Sequence, residues 1–361
     1  MKKRLCLTVF GLSLAAALAA FPGSAQAGEL EPGGNDTKAI NAELEDTHYV
    51  KLQAGKTYHL SNYITVNSGD TIDATGATIL VDKAIIRNVP TSTGYDSTSG
   101  VNIKGGVWKC SSKNKGGWKT TSISFAHAKN IKLENMELYA TNYQGHAIEL
   151  VACKDVTVKG CKITAQGKPV KNSVEEMLQI DLATPRTAPF LESSKLQNGK
   201  ASKNIYVIGN TIKGSRAVCA NYAAKEAKYR NRYHENIVIK NNKLTGVTAQ
   251  ALSLYNTISG TVSGNKIVTN SPRLTESYSD GCTIQYMGKV KSTASKSKFT
   301  ISKNKIYGGR NGLNIYSHSS SKFGKVTLKS NKIYSKKGKS KALLISRVRK
   351  VSKKGNKLYK W

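Results

Sequence analysis

Six short segments of this 361-residue chain place polar residues between alternating apolar ones. They span residues 146–150, 177–182, 217–222, 251–255, 282–286 and 312–316. Glu149 and Asp181 stand within the first two segments, and Glu176 directly precedes the second. A pair of carboxyl groups, one acting as an acid and the other as a base or nucleophile, cleaves glycosidic bonds. We therefore identify Glu149, Asp181 and Glu176 as candidate catalytic residues for glycoside hydrolysis.

The polar residues around these carboxylates are of the types that bind sugars. Amides hydrogen-bond to hydroxyl groups, and aromatic rings stack on the faces of sugar rings. Three inserted stretches, 166–175, 183–203 and 222–235, adjoin the segments, and insertions in repetitive folds gather on the binding face. We therefore expect these stretches to wall a cleft around Asp181. The candidate substrate-binding residues are His146, Gln179, Asn221, Tyr222, Tyr255, Gln285, Arg186 and His234.

The same carboxylates also suit β-elimination on a chain that contains uronates. They would then bind Ca²⁺ against the uronate while an Arg, Lys or His abstracts the proton. A calcium cofactor is expected only for this lyase alternative, and no cofactor is expected for hydrolysis. No residue is assigned to a metal, because the histidines lack metal-ligand spacing and no Cys-x-x-Cys pair exists. A third alternative is a non-catalytic glycan-binding or cell-surface protein.

The elements that position these residues are indicated by a recurring phrase. It combines an Asn or Asp, a stretch of alternating apolar residues, a corner of Gly or Asn, and a second apolar stretch. Alternation with a period of two is typical of a β-strand, and Asn and Gly tolerate the left-handed backbone of a sharp corner. Clear copies span residues 130–138, 155–163, 204–212 and 236–244, and looser copies span 259–267, 297–306, 325–333 and 348–358.

The tightest spacing of this phrase is roughly 23–27 residues, and self-similarity at such a period indicates a solenoid. One coil of this length cannot bury its own apolar side, whereas stacked coils bury a continuous core. The sequence therefore predicts an all-β fold, a right-handed parallel β-helix. A short helix at residues 35–44, with Asp36 as its N-cap, is expected to cover the N-terminal end. A β-sandwich is the alternative, but its hairpins need antiparallel strands and give no fixed period.

Three stretches near the N-terminus carry a resemblance to a known superfamily. Residues 36–40 (Asp-Thr-Lys-Ala-Ile) and 52–58 (Leu-Gln-Ala-Gly-Lys-Thr-Tyr) resemble the opening of pectin-lyase-like β-helix proteins, and 102–108 (Asn-Ile-Lys-Gly-Gly-Val-Trp) is similar to their early coils. At the level of fold the resemblance covers essentially the whole chain after residue 27. It implies action on polysaccharides, as in pectate and pectin lyases, polygalacturonases, epimerases and phage depolymerases. The aspartate motifs of polygalacturonases and the calcium and arginine motifs of pectate lyases are not found, so no specific enzyme family is matched.

The first 27 residues have the pattern of a secretory signal peptide. A basic start at residues 2–4 precedes an apolar run to residue 20, and Ala25-Gln-Ala27 forms a cleavage site. We expect the mature chain to be secreted or displayed at the cell surface, to have no transmembrane span and to be a monomer. Residues 28–361 then form one β-helix domain, with the N-terminal cap and first strands at 28–60.

The charge of the chain is strongly positive and unevenly distributed. The sequence has 56 Lys and Arg against 22 Asp and Glu, a formal net charge of +34. The lysine-rich final coils, 281–361, hold 22 of the basic residues and no acidic one. Because such a field attracts polyanions, we predict an anionic polysaccharide partner and binding of a cell-wall polymer through the C-terminal region. Specific nucleic-acid binding is not predicted, since no recognition module accompanies the charge.

Overall fold

Three long parallel sheets make up almost all of the protein. The structure is a computed structural model that describes residues 28–83, 85–287, 296–318 and 322–361. Within these residues, sheet 1 has 13 strands, sheet 2 has 11 and sheet 3 has 10, and every pairing is parallel. Neighbouring strands of each sheet come from successive coils. The predicted right-handed parallel β-helix is therefore confirmed.

The strands are short and follow one another in the same order in each coil. Sheet 1 contains Glu29–Leu30, Tyr49–Leu52, Thr71–Asp73, Thr98–Ser99, Asn102–Lys104, Ala128–Glu134, Lys154–Lys159, Lys203–Ile208, Glu235–Lys240, Ser259–Ser263, Lys298–Ser302, Phe323–Lys329 and Val348–Lys354. Sheet 2 contains Thr57–Leu60, Thr78–Val81, Val107–Cys110, Glu137–Tyr139, Lys162–Thr164, Thr211–Gly214, Lys243–Gly246, Lys266–Thr269, Lys305–Gly308, Lys332–Ser335 and Lys357–Lys360. Sheet 3 contains Ile64–Thr65, Ile86–Arg87, Ile123–Ala126, Ile148–Val151, Glu176–Asp181, Arg216–Ala220, Leu252–Tyr255, Cys282–Tyr286, Leu313–Ser317 and Leu343–Ser346.

An α-helix, Asp36–Thr47, precedes most of the coils, as predicted. Its N-cap is Asn35, whose side chain accepts a hydrogen bond from a first-turn amide at 3.1 Å, so the prediction of Asp36 as the N-cap is wrong. Asp36 is buried instead and accepts hydrogen bonds from two backbone amides outside the helix. Ile40 and Leu44 are buried in the main core. The helix therefore covers the N-terminal end of the solenoid, as a terminal repeat must. The described residues also include short 3₁₀-helices at Ser112–Asn114, Ser277–Ser279 and Lys339–Lys341.

Left-handed residues stand both at the start of the recurring phrase, inside the sheet 1 strands, and at the corner between sheets 1 and 2. Asn130, Asp155, Asn204 and Asn236 begin the phrase with φ between 51° and 55°. At the second corner of the phrase, Gly209 has a φ of 68°. Asparagine and glycine adopt this backbone at little cost. The identity of the corner residues thus sets where each strand ends.

A ladder of buried asparagines follows these second corners. Each side-chain amide donates to the Oδ1 of the asparagine in the next coil at 2.8–3.0 Å. Each also donates to a backbone carbonyl of the preceding coil. Because the bonds connect coils, the ladder fixes their register. Its buried members are Asn210, Asn242, Asn265, Asn304 and Asn331, and the half-buried Asn356 accepts the last of these bonds.

Apolar ladders fill the space between the three sheets. In sheet 1, for example, Val158, Val207 and Ile239 lie opposite one another in successive coils and are fully buried. The predicted signal peptide, residues 1–27, lies outside the described residues. Among the residues that the structure does describe, no helix is long and apolar enough to cross a membrane.

Candidate functional site

The six polar segments of the sequence stack in register on the outer face of sheet 3. In neighbouring strands, Glu149 lies opposite Gln179, and Asp181 lies opposite Val151. The inward apolar residues of these two strands lie opposite one another. In that register, the two carboxylates are offset from each other by two residues along the strands. Glu149 and Asp181 therefore do not lie opposite each other. Farther along, Gln285 lies opposite both Tyr255 and Tyr316.

A groove of about 860 Å³ lies on this face. Strands of sheet 3 form its floor, and the stretches 174–186, 221–224 and 277–278 contribute to its walls. The structure brings seven of the eleven predicted site residues together here. They are Glu176, Gln179, Asn221, Tyr222, Tyr255, Gln285 and Arg186.

Glu149 and Asp181 do not line the groove. Glu149 is 6% exposed and accepts a hydrogen bond from the Thr121 hydroxyl at 3.0 Å. Asp181 is completely buried and accepts hydrogen bonds from the Gln179 amide at 2.6 Å and from the Leu182 backbone at 3.2 Å. Burial, and then the nearby carboxylates of Glu149 and Glu176, raises the pKa of Asp181 well above its ordinary value. Their assignment as catalytic residues is therefore corrected, since neither presents a carboxylate to the groove.

The reason for this burial is the inserted stretch 183–203. Ala183, Ala188 and Leu191 in this insertion pack with Val151 and Ala126 of sheet 3 as a small second core. The insertion thus covers this part of the sheet, whereas the sequence predicted that it walls an open cleft. Burial of its apolar side chains against the sheet removes them from water, which lowers the free energy of the folded chain.

His234 is also a correction to the predicted site. It is fully buried; its Nδ1 accepts from the Ser202 amide at 3.1 Å, and its Nε2 donates to the Asn221 carbonyl at 2.8 Å. Burial lowers the pKa of His234 to about 4. The ring therefore connects two coils by hydrogen bonds in its neutral form, and it does not line the groove.

A cluster of charged residues stands at one end of the groove. The Arg216 guanidinium donates to Glu176 Oε1 at 2.6 Å and to Gln250 Oε1 at 3.0 Å, and it is 4% exposed. The pKa of the neighbouring Glu175 is raised, chiefly by burial. His146 does not line the groove, but its Nδ1 donates to the Glu176 carbonyl at 2.8 Å and its Nε2 lies 3.4 Å from Glu175.

The ligating atoms of His146, Glu175 and Glu176 lie within 4.8 Å of one another. This set does not suit calcium, because calcium prefers oxygen ligands and six or more of them. The Arg216 guanidinium also opposes a cation beside Glu176. The cluster is therefore not assigned to a metal.

Four groove residues, Arg216, Arg310, Asn314 and Tyr278, were missed by the sequence analysis. Arg310 is held by the fully buried Asp280, to which its Nε and Nη2 donate at 2.9 and 2.7 Å. For Arg216 a signal was present, because Glu176 and Arg216 each stand two residues before the first inward residue of their strand and lie opposite each other.

Two acceptors at the groove are buried without a hydrogen-bond partner among the described residues. They are the Oε1 of Gln179, which is 8% exposed, and the Oδ1 of Asn314, which is 3% exposed. A buried acceptor without a donor is costly in a folded protein. A ligand that carries hydroxyl groups supplies such donors.

Comparisons with known proteins support the fold. No family model and no curated protein matches the sequence. Two solved structures of PfbA, a surface adhesin of Streptococcus pneumoniae, match with TM-scores of 0.62 and 0.58 at 14% and 15% identity. The first match covers 91% of this chain and 89% of that one, and the second covers 92% and 96%. These matches agree with a parallel β-helix, and at this identity they show the fold alone.

Proposed function

We propose that this protein is secreted and binds a linear acidic polysaccharide in the groove over sheet 3. The observation that carries the proposal is the groove itself, with tyrosines, amides and arginines on one face and two unpartnered acceptors among them. Polysaccharides present alternating apolar ring faces and hydroxyl groups. Aromatic and amide side chains along a single face match both features.

The tyrosines of the groove support a carbohydrate ligand. Tyr222 and Tyr255 lie with ring centroids 5.5 Å apart at 58°, so their faces are not stacked on each other. Tyr278 is held by Arg273, whose guanidinium lies 3.9 Å from the ring centroid. Rings fixed in this way have little rotamer entropy left to lose when a sugar binds.

The acidic character of the ligand is supported by charge. Arg186 and Arg310 line the groove, and the whole chain carries a formal charge of +34. A field of one sign raises the local concentration of an oppositely charged polymer and accelerates its association. A neutral polysaccharide gains nothing from this field.

A second candidate function is hydrolysis of the bound chain, and the cluster at the groove end favours it. Glu175 has a raised pKa, as a proton donor requires, and Glu176 is paired with Arg216, as a carboxylate nucleophile requires. Their oxygens approach within 4.8 Å, close to the carboxyl separation of about 5 Å in retaining glycosidases. In this scheme Glu175 protonates the leaving oxygen while Glu176 attacks the anomeric carbon and forms a glycosyl ester; water, deprotonated by Glu175, then cleaves this ester and frees Glu176. The proposed pair keeps Glu176, one of the three carboxylates suggested by the sequence, and adds Glu175 in place of Glu149 and Asp181.

Binding and cleavage are tested together on a panel of acidic and neutral polysaccharides. Binding is measured by calorimetry, hydrolysis by release of reducing ends, and elimination by the ultraviolet absorbance of unsaturated ends. We expect acidic chains to bind, and Gln179→Leu to weaken that binding. Failure of every acidic chain to bind would overturn the proposal.

The variant that tests cleavage is Glu175→Gln, with Glu192→Gln as its control. Glu192 is an exposed carboxylate on the insertion and does not line the groove. Loss of reducing-end release in Glu175→Gln alone supports hydrolysis. Absorbance of unsaturated ends indicates elimination instead. Binding without any product indicates that the protein binds glycans without cleaving them.

A further inference from the structure

The outer face of sheet 2 carries a continuous column of lysines. One lysine from each of five successive coils lies opposite the next, and all five are exposed. Adjacent parallel strands are about 4.8 Å apart, so the ammonium groups stand in a closely spaced row. The column consists of Lys243, Lys266, Lys305, Lys332 and Lys357.

A column of tyrosines runs beside the lysines over the last three coils. The rings of Tyr307 and Tyr334 are stacked at 4.3 Å and 10°, and those of Tyr334 and Tyr359 at 4.7 Å and 15°. Trp361 packs edge-on against Tyr307 at 5.5 Å, with the Lys336 ammonium 4.6 Å from the indole. Because the ring faces cover each other, the column offers its edges and phenol hydroxyls to the solvent.

These columns have no counter-charge in the described residues. Like charges directly opposite each other on neighbouring strands are destabilising. Earlier in the same sheet, Lys162 lies opposite Glu137 and forms an ion pair with it at 3.3 Å. None of the five column lysines forms an ion pair with a described residue, and the sequence has no acid after Asp280. A bound polyanion would remove this repulsion.

We propose that this lysine–tyrosine face of sheet 2 is a second binding surface, for a strand of acidic polysaccharide that lies along the solenoid axis. The ammonium groups pair with the carboxylates of the strand, and the phenol hydroxyls donate hydrogen bonds to its oxygens. The choice of acidic polysaccharide as the polymer rests on the proposed function, whereas the location of this second surface does not. It belongs to a different sheet from the groove and shares no residue with it.

The test uses the full chain and polygalacturonate as the probe. The first variant, Lys305→Gln with Lys332→Gln and Lys357→Gln, removes three charges from the face. Its control is Lys298→Gln with Lys325→Gln and Lys350→Gln, which removes three charges in register from sheet 1 in the same coils. The second variant replaces Tyr307, Tyr334 and Tyr359 by Phe, which keeps the stack and removes only the hydroxyls.

We expect the sheet 2 lysine variant to weaken binding about tenfold, as the loss of three exposed ion pairs predicts. We expect the sheet 1 control to weaken it much less. The Tyr→Phe variant should weaken binding while leaving Tm unchanged. Polygalacturonate should also change the fluorescence of Trp361, and a Trp361→Phe variant identifies that signal.

Equal losses in the sheet 2 variant and the sheet 1 control would overturn the inference, because binding would then follow total charge alone. Unchanged binding in the sheet 2 variant would overturn it as well. Groove variants such as Gln179→Leu separate the two proposals. If they abolish binding and sheet 2 variants do not, only the groove binds; if the reverse holds, the second surface stands and the groove proposal fails.

Discussion

At the scale of single residues, burial decides which carboxylates and histidines are available to a ligand. Glu149, Asp181 and His234 have the residue types of a catalytic site, yet each is covered and hydrogen-bonded within the fold. Glu175, which is half-buried at the groove, has both a raised pKa and access to a ligand. A carboxylate or imidazole of this protein is therefore available to a ligand only where its side chain lines the groove.

Asp181→Asn is expected to keep Tm at pH 7 or raise it, and to leave glycan binding unchanged. The folded protein holds the proton of Asp181 more tightly than the unfolded chain does, so its contribution favours folding in acid. That contribution is lost as the pH rises from about 3.8 through the higher folded pKa. An amide carries no charge, so the gain of the variant over the natural chain should grow with pH. Thermal unfolding from pH 4 to pH 8 measures this. Loss of sugar cleavage in Asp181→Asn with an unchanged Tm would instead indicate that Asp181 is catalytic.

His234 is expected to make the fold less stable as the pH falls from about 6.5 to 4. Its pKa is about 4 in the folded chain and 6.5 as the ordinary value, so the unfolded chain binds the proton first. Stability is full above pH 6.5 and falls by about 3 kcal/mol as the pH drops to 4. His234→Gln should flatten this fall in urea unfolding. The exposed His59→Gln is the control, and an equal flattening there would contradict the assignment.

At the scale of elements, the corner after each sheet 1 strand fixes the stacking of coils. From the corner at Gly209 onward, a left-handed residue ends the strand, and the next residue is an asparagine that bonds to the neighbouring coils. The register of the sheet 3 strands therefore follows from the stacking of the coils at these corners. The column of Tyr255, Gln285 and Tyr316 in the groove thus depends on hydrogen bonds formed on another side of the solenoid.

Asn265→Ala is expected to destabilise the protein by about 3 kcal/mol, because it leaves buried partners in both neighbouring coils unsatisfied. Asn265 donates to Ile239 and Asn304 and accepts from the amide groups of Asn242. The control is Asn270→Ala, at an exposed position in the same coil, which should cost little. Chemical unfolding of both variants measures the difference. Equal costs would mean that the ladder contributes no specific stability.

At the scale of the whole molecule, the solenoid separates two kinds of surface. Sheet 3 carries a groove with mixed charges, aromatic rings and amides, whereas the final coils of sheet 2 carry unbalanced lysines. Because the final coils hold 22 basic residues and no acid, electrostatic attraction is strongest toward that end. Under the two proposals, one polymer chain or two would engage both faces at once.

Binding of acidic polysaccharide is expected to weaken steeply with salt. Raising the ionic strength from about 0.1 M to about 1 M shortens the Debye length from about 10 Å to about 3 Å. Calorimetric titrations across this range measure the effect, and a neutral polysaccharide is the comparison. Affinity that is the same at both salt concentrations would contradict an electrostatic role for the lysine-rich coils.

The sequence by itself determined the architecture. The period of two within each phrase, the Gly and Asn corners and the spacing of the copies all depend on local residue preferences, so they can be read without coordinates. They predicted the parallel coils and the helix before them. The sequence also named seven of the residues that line the groove.

Only the tertiary structure decided which of the polar residues are exposed. Insertions carry no repeat, so their path is set by long-range packing; the apolar residues of 183–203 pack on sheet 3 and bury Asp181. The partners of Arg216 and Arg310 come from neighbouring coils and depend on register. Strand alternation tells which side of a sheet a residue faces, whereas burial by a loop depends on where that loop folds.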